Sequence, residues 1–318
     1  MRINITGFNG AQFGKKTANR KGVLNFSELI KEILTECGHE ADFQLENPDL
    51  NMVFVIDPSS INAGYVNEVL PILRNEPSIV VFDDWNIKGF YKTIDKIIET
   101  GKFSKTHHTV DWKIVLEYMD VWQKLANGEY LTLYPAHKVG DHSLLEIRGE
   151  SFYLDPSIYM ADKRVFNPEH EKHREYTDLI PVHASLANKW QELSKKKYTF
   201  LNVKDAKEDE VFELYSKYRM VMSPVHYHDG SGWFRGRYIM ANQAKAIIVD
   251  DQNSIFGAPF AVLPKQITKD NIEGVFELQA RNLFAGIMTK EEVREAMNET
   301  LSVFENKYAK REVENTAA

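Results

Sequence analysis

The sequence predicts an α/β protein built as two Rossmann-like halves facing each other across a cleft, and three observations predict it. Short apolar runs alternate with stretches of helical periodicity from the first residues onward. Glycine-rich loops follow strand-like runs twice, at Gly7–Gly14 and at Gly230–Gly232. The alternation lapses in a charged central stretch and then starts again, in a chain of 318 residues that is long enough for two compact domains.

Arg2 to Thr6 reads as a buried strand, followed by a loop to about Gly22. From Phe26 to Cys37 the spacing places Phe26, Leu29, Ile30, Ile33 and Leu34 on one helical face, and Gly38 is the expected stop. Strands follow near Ala41–Leu45 and at Met52–Asp57, then a helix over Tyr65–Leu73 and the wholly apolar strand Ile79–Phe82. This order predicts a parallel sheet covered on both faces, doubly wound, with ligands bound beyond the carboxyl ends of its strands. Helices over Tyr91–Thr100 and Asp111–Asn127 lead to a strand at Tyr130–Pro135. The stretch Arg148–Arg174, charged and aperiodic, reads as the tail of the first domain and the linker. The second alternation comprises strands at Asp178–Ser185, Tyr198–Val203, Met220–Val225 and Ala246–Asp251. Helices at Asn188–Ser194, Glu208–Tyr218 and Trp233–Asn242 lie between them, and a long amphipathic helix covers Lys290–Ala309. The expected division is residues 1–172, residues 173–290, and a C-terminal helix within residues 291–318 that packs back on the first domain.

Composition narrows the classes. Hydrophobic residues at 43% and aromatic residues at 12% are ordinary for a globular protein and exclude a fibrous or disordered chain. No apolar run reaches the roughly 18 residues of a membrane span. The opening MRINITGFNG lacks the layout of a secretory signal, so a cytoplasmic location is expected. Cys37 is the single cysteine, which excludes an intramolecular disulfide and a cysteine zinc cage. The net charge of −7 argues against general affinity for DNA but leaves room for a local basic groove. Lys15, Lys16, Arg20 and Lys21 in the first glycine loop are the candidates for it, whereas Lys195–Lys197 reads as solvated loop charge.

Two places carry candidate chemistry. At His226–Arg235 a strand ends, a glycine loop turns and a helix starts, which aims free backbone N–H groups and the positive helix end at one spot. Arg235 and Arg237 in the first turn oppose the helix dipole, a placement that an anion such as a diphosphate would explain. His226 and His228 lack further ligands at a convincing spacing apart from Asp229, so a metal site is not expected there. Asp83 and Asp84 directly follow the strand Ile79–Phe82, where an α/β sheet presents its catalytic groups. They read either as a general base accepting a hydroxyl proton or as an ordinary helix N-cap. The first loop, Gly7–Phe8–Asn9–Gly10, does not match the dinucleotide fingerprint, so no tightly bound cofactor is expected; Gly10 instead permits close approach of an acceptor or diphosphate.

With these residues in view, the chain resembles the GT-B fold glycosyltransferases, and among them the T-even phage β-glucosyltransferases that modify hydroxymethylcytosine in DNA. The resemblance rests on INITGFNG with its loop lysines, FSELIKEILTECGHEADF, IVVFDDWN, FYLDPSIYM, IPVHASLANKW and FRGRYIMANQAKAIIVDD. It implies a catalytic base at Asp84, with Asp83 beside it. It implies donor contacts from Ser185, Lys189, His226, Ser231, Gly232, Arg235 and Tyr238, and acceptor contacts from Gly10, Lys15, Lys16, Arg20 and Lys21. Where the family uses arginines near Ser185, this chain offers Lys189; where the family has an acid for the donor ribose, this chain has Tyr238, a single neutral hydroxyl. The resemblance implies a nucleotide-sugar co-substrate, UDP-linked, and double-stranded DNA with hydroxymethylated bases as partner, and it leaves a divalent cation open. Two alternatives stay open: a glycosyltransferase of the same fold with a small-molecule, polysaccharide or protein acceptor, and a nucleotide-binding protein without catalysis.

Overall fold

The computed structural model describes residues 1–7, 26–55, 65–82, 87–102, 112–136, 138, 142–161, 165–174, 208–222, 235–249 and 267–308. Six strands form one parallel sheet in the order β2-β1-β3-β4-β5-β6. They are β1 (Arg2–Thr6), β2 (Glu40–Phe43), β3 (Leu50–Val55), β4 (Ser78–Phe82), β5 (Thr132–Pro135) and β6 (Ser151–Leu154). Every residue of β3, β4 and β5 is buried, the expected character of central parallel strands with both faces covered.

Helices cover both faces, as the sequence predicts. On one face Ile3, Ile5, Met52, Phe54, Ile79, Val81 and Leu133 pack with α1 (Phe26–Glu36). On the other, Val53, Val55, Val80, Phe82 and Tyr134 pack with α2 (Leu70–Asn75), α3 (Ile87–Thr100) and α5 (Met119–Ala126). A short α4 (Trp112–Glu117) precedes α5, so the single helix expected over 111–127 is two, parted at Tyr118. Trp122 lies fully buried beneath the break and donates its indole N–H to the Val115 carbonyl at 2.9 Å. The helix expected from Tyr65 opens with a π-turn over Tyr65–Val69 before α2, and α3 starts at Ile87, four residues before the expected Tyr91. α1 ends as expected: Gly38 has φ +86°, and the N–H groups of Gly38 and His39 return to Thr35 and Leu34 carbonyls.

The stretch 148–174, expected as the tail of the first domain and the linker, carries regular structure. It supplies β6, then α6 (Ser157–Ala161) and a 3-10 turn over Pro168–His173. β6 is a four-residue edge strand whose first three residues are only half-buried, so it shows neither a continuous apolar run nor strict alternation.

Beyond it, β7 (Met220–Met222) and β8 (Ile247–Val249) pair in parallel, joined through α8 (Arg235–Gln243) and preceded by α7 (Glu208–Ser216). The expected strands at 178–185 and 198–203 and the helix at 188–194 lie outside the described residues. Where no element is expected between Asp251 and Lys290, the chain forms α9 (Ile272–Ala285). Its buried face carries Gln279, whose amide accepts from the Ile248 N–H at 2.7 Å and donates to the Ile248 carbonyl at 2.8 Å. A polar residue at the centre of a buried face blurs the apolar periodicity from which a helix is read.

Two buried charged side chains tie the parts together. Arg174, its side chain fully buried, donates to the carbonyls of Tyr218 and Lys245, just ahead of β7 and β8. Burial, and next the neighbouring Arg219 charge, bring its guanidinium down to about 10. Asp155 accepts from the Ser157 N–H at 3.0 Å and the Met288 N–H at 3.3 Å, joining the start of α6 to the chain returning from α9. That returning chain forms α10 (Lys290–Val303), which starts with a Thr289–Glu292 capping box and continues as a π-turn over Phe304–Tyr308. α10 packs on α1 and β6, with Arg294 on Glu36 at 3.2 Å and Lys307 on Glu150 at 2.7 Å.

Candidate active site

In a doubly wound sheet the ligand crevice opens where the strand order reverses. Here that point is between β1 and β3: β1 leads to β2 on one side, and β3 starts the run to β6 on the other. Gly7 ends β1 at this point with φ +95°, and a Cβ there would stand 2.4 Å from the Phe54 carbonyl oxygen. The chain re-enters at Phe26, whose ring meets Phe54 edge-on at 5.8 Å. Both ends of the first glycine loop are thus seated on β3 at the switch point. Its residues Gly10, Lys15, Lys16, Arg20 and Lys21 lie outside the described residues.

The same holds one strand further along. Phe82, the last residue of β4, packs edge-on against Phe90 at 5.0 Å and tilted against Tyr91 at 5.9 Å, both on α3. These contacts fix where β4 ends and where α3 begins. Asp83 and Asp84 stand directly between them in the sequence and lie outside the described residues.

At the next two strands the structure assembles a group that the sequence pattern does not reveal. Tyr134 on β5 and Tyr153 on β6 are register partners, and His142 sits edge-on to Tyr153 at 4.4 Å with Nδ1 3.3 Å from the Tyr134 hydroxyl. The repeated tyrosine near the ends of YLTLYP and SFYL is the only sequence signal for it. Burial, and next the Tyr153 phenol, push Tyr134 up to about 12. An unfolded tyrosine titrates near 10, so the folded state holds the neutral phenol. Its contribution is complete below about pH 10 and is lost as pH rises through the folded value. We expect the urea midpoint to fall between about pH 10 and 12, with Tyr134→Phe removing a share of order 2 kcal/mol of that fall. Tyr91 and Tyr159, both also raised, chiefly by burial, add to the fall, and Arg174, lowered to about 10, opposes it.

In the second half the structure describes the backbone of two of the expected donor residues, Arg235 and Tyr238. α8 starts at Arg235 and has Tyr238 in its first turn. Because β7 and β8 are parallel, the start of α8 lies toward the carboxyl end of β7. Its later part is held by buried Ile239, Met240 and Ala241 and packs on α6, so the end of the first sheet supports this helix. Ser185, Lys189, His226, Ser231 and Gly232 lie outside the described residues. Among the described residues no group of three or more His, Cys, Asp or Glu side chains is placed to hold a metal, and no helix is long and apolar enough to cross a membrane.

No family model and no curated protein matches the chain. Solved structures do. T4 phage β-glucosyltransferase, in a structure concerned with substrate binding and a proposed catalytic mechanism, is 13% identical with a TM-score of 0.50, over 94% of this chain and 99% of that one. The T4 phage enzyme in complex with UDP-glucose is 13% identical with a TM-score of 0.46, over 99% and 97%. An α-glucosyltransferase in complex with UDP and a 13-mer DNA containing an HMU base is 10% identical with a TM-score of 0.48, over 96% and 99%. What this chain shares with the first of these is the fold, the GT-B arrangement expected from the sequence.

Proposed function

We propose that the protein is a glycosyltransferase that moves a sugar from a UDP-linked donor to the hydroxymethyl group of a modified base in phage DNA, with inversion at the sugar. The observation that carries this reading is the fold likeness to a β-glucosyltransferase over nearly the whole of both chains. The sequence resemblance at the two strand ends adds to it. In this reading residues 1–172 form the acceptor domain, residues 173–290 the nucleotide-sugar domain, and the helix within 291–318 returns to the first domain.

The acceptor base leaves the stack, at a cost of a few kcal/mol, and enters the crevice beyond β1, β3 and β4. Asp84 takes the proton of the hydroxymethyl group as its oxygen bonds to the anomeric carbon, with Asp83 alongside. The bond from that carbon to the diphosphate breaks on the opposite face, and the nucleoside diphosphate leaves with the electron pair. Arg235, Lys189 and the N–H groups at Ser231–Gly232 stabilise the departing charge, with Ser185 and His226 beside them. Tyr238 donates to or accepts from the donor ribose as a single neutral group, in place of the two-oxygen carboxylate of the family pattern. Lys15, Lys16, Arg20, Lys21 and the backbone at Gly10 meet the DNA.

Calorimetry with UDP tests the donor half. We expect binding by the wild-type chain and a loss of about 1.5–3 kcal/mol in Arg235→Ala, the range for a hydrogen bond to a charged group. Wild-type protein that does not bind UDP would refute the donor site. The net charge of −7 favours a second reading, a small acceptor in the same cleft. Transfer that is insensitive to moderate salt would favour it, because a DNA acceptor demands a steep salt dependence.

A further inference from the structure

α3 carries Lys88, Lys92 and Lys96 at intervals of four, all exposed. That interval sets the side chains one above another, about 6 Å apart along the axis, so the lysines repel across each turn. Lys102, just past the end of the helix, is exposed as well. Nearby acids only partly compensate. Asp95 is held by both Arg148 Nη atoms, at 2.7 and 2.6 Å, and the Arg148 guanidinium lies 4.7 Å from the centre of the Tyr91 ring. Glu146 meets Lys88 in an exposed pair, and Glu99 is the remaining acid on this face.

Elsewhere Arg2, Lys31, Arg74, Lys138, Arg294 and Lys307 each engage a carboxylate. Among the described residues Lys92, Lys96 and Lys102 have no such partner. A chain of net charge −7 therefore leaves a row of cations only partly compensated on one helix, Lys92 and Lys96 among them without a carboxylate partner. That helix begins directly after the segment holding Asp83 and Asp84. Its row of lysines thus runs outward from the edge of the crevice, where the strands flanking an extruded base would pass.

We infer that the exposed face of α3 is a docking ridge for the sugar–phosphate backbone of the DNA acceptor, with Lys88, Lys92 and Lys96 each facing phosphate. The inference rests on the DNA-acceptor reading above. Phosphate contacts of this kind give affinity without base preference, and each displaces condensed counterions.

The test is a fluorescence-anisotropy titration of a short labelled duplex across a salt series. It compares wild type, Lys88→Ala/Lys92→Ala/Lys96→Ala, the length-preserving Lys92→Gln/Lys96→Gln, and the distant exposed Lys217→Ala. We expect the log–log salt slope to shrink by about 2–3 in the triple variant and by about 2 in the double, with binding at least about tenfold weaker. Lys217→Ala should match wild type, and UDP binding should be the same in all four. Variants that bind DNA with the wild-type slope and affinity would overturn the ridge alone. A wild-type protein that does not bind the duplex would overturn the DNA-acceptor reading and the ridge with it.

Discussion

Asp84→Asn is expected to lower kcat for sugar transfer by about 10²–10⁴-fold while leaving UDP binding at its wild-type strength. The amide has nearly the shape of the carboxylate but accepts no proton from the attacking hydroxyl. The loss therefore falls on kcat and kcat/KM together, the pattern of an interaction made in the transition state. Phe82 packs against Phe90 and Tyr91, which holds the carboxyl end of β4 to the first turn of α3; Asp83 and Asp84 stand between these in the sequence, outside the described residues. Asp83→Asn serves as the comparison and should lose less. Steady-state kinetics beside calorimetry checks the pair. Equal losses in both variants, or an undiminished kcat in Asp84→Asn, would remove Asp84 as the base.

Gly7→Ala is expected to carry the largest cost in stability. At φ +95° an L side chain is strained by about 1–3 kcal/mol. Its Cβ would also meet the Phe54 backbone at 2.4 Å, where no flexible side chain can yield. Relief requires β1 to move from the fully buried β3, and overpacking of that kind costs a further 1–3 kcal/mol or so. The sum, roughly 2–6 kcal/mol, is a large part of a typical domain's stability. Urea denaturation measures it. Because the same residue launches the first glycine loop, acceptor binding should weaken before the fold is lost. A loss below about 1 kcal/mol would mean that residue 7 relaxes to extended backbone and that the close approach is dispensable.

The fold was legible wherever burial is written as a local pattern. β3 and β4 are apolar throughout because both faces are covered, and α1 shows its buried stripe and its glycine stop directly. β6 was not legible, because a short edge strand with half-exposed Ser151, Phe152 and Tyr153 has no periodicity to read. α9 was hidden by Gln279, whose role depends on β8, distant in sequence. The same long range conceals Arg174, a linker arginine by composition and the tie between β7 and β8 in space. Of the candidate site, the sequence proposes reacting groups, since acids after an apolar strand and a glycine loop before a helix are local features; most of them lie outside the described residues. It did not supply the Tyr134–His142–Tyr153 group, which exists only because β5 and β6 are neighbours. Nor did it single out Lys92 and Lys96 of α3, which have no carboxylate partner while Arg148 holds Asp95.

The most direct test of transfer to DNA is mass spectrometry of nucleosides from hydroxymethylated DNA incubated with the protein and a panel of UDP-sugars. The account predicts a mass gain of one sugar on the hydroxymethylated base with one of the donors, absent in Asp84→Asn. Unmodified bases with every donor, from protein that binds UDP, would contradict a DNA acceptor and leave the cleft to a different one.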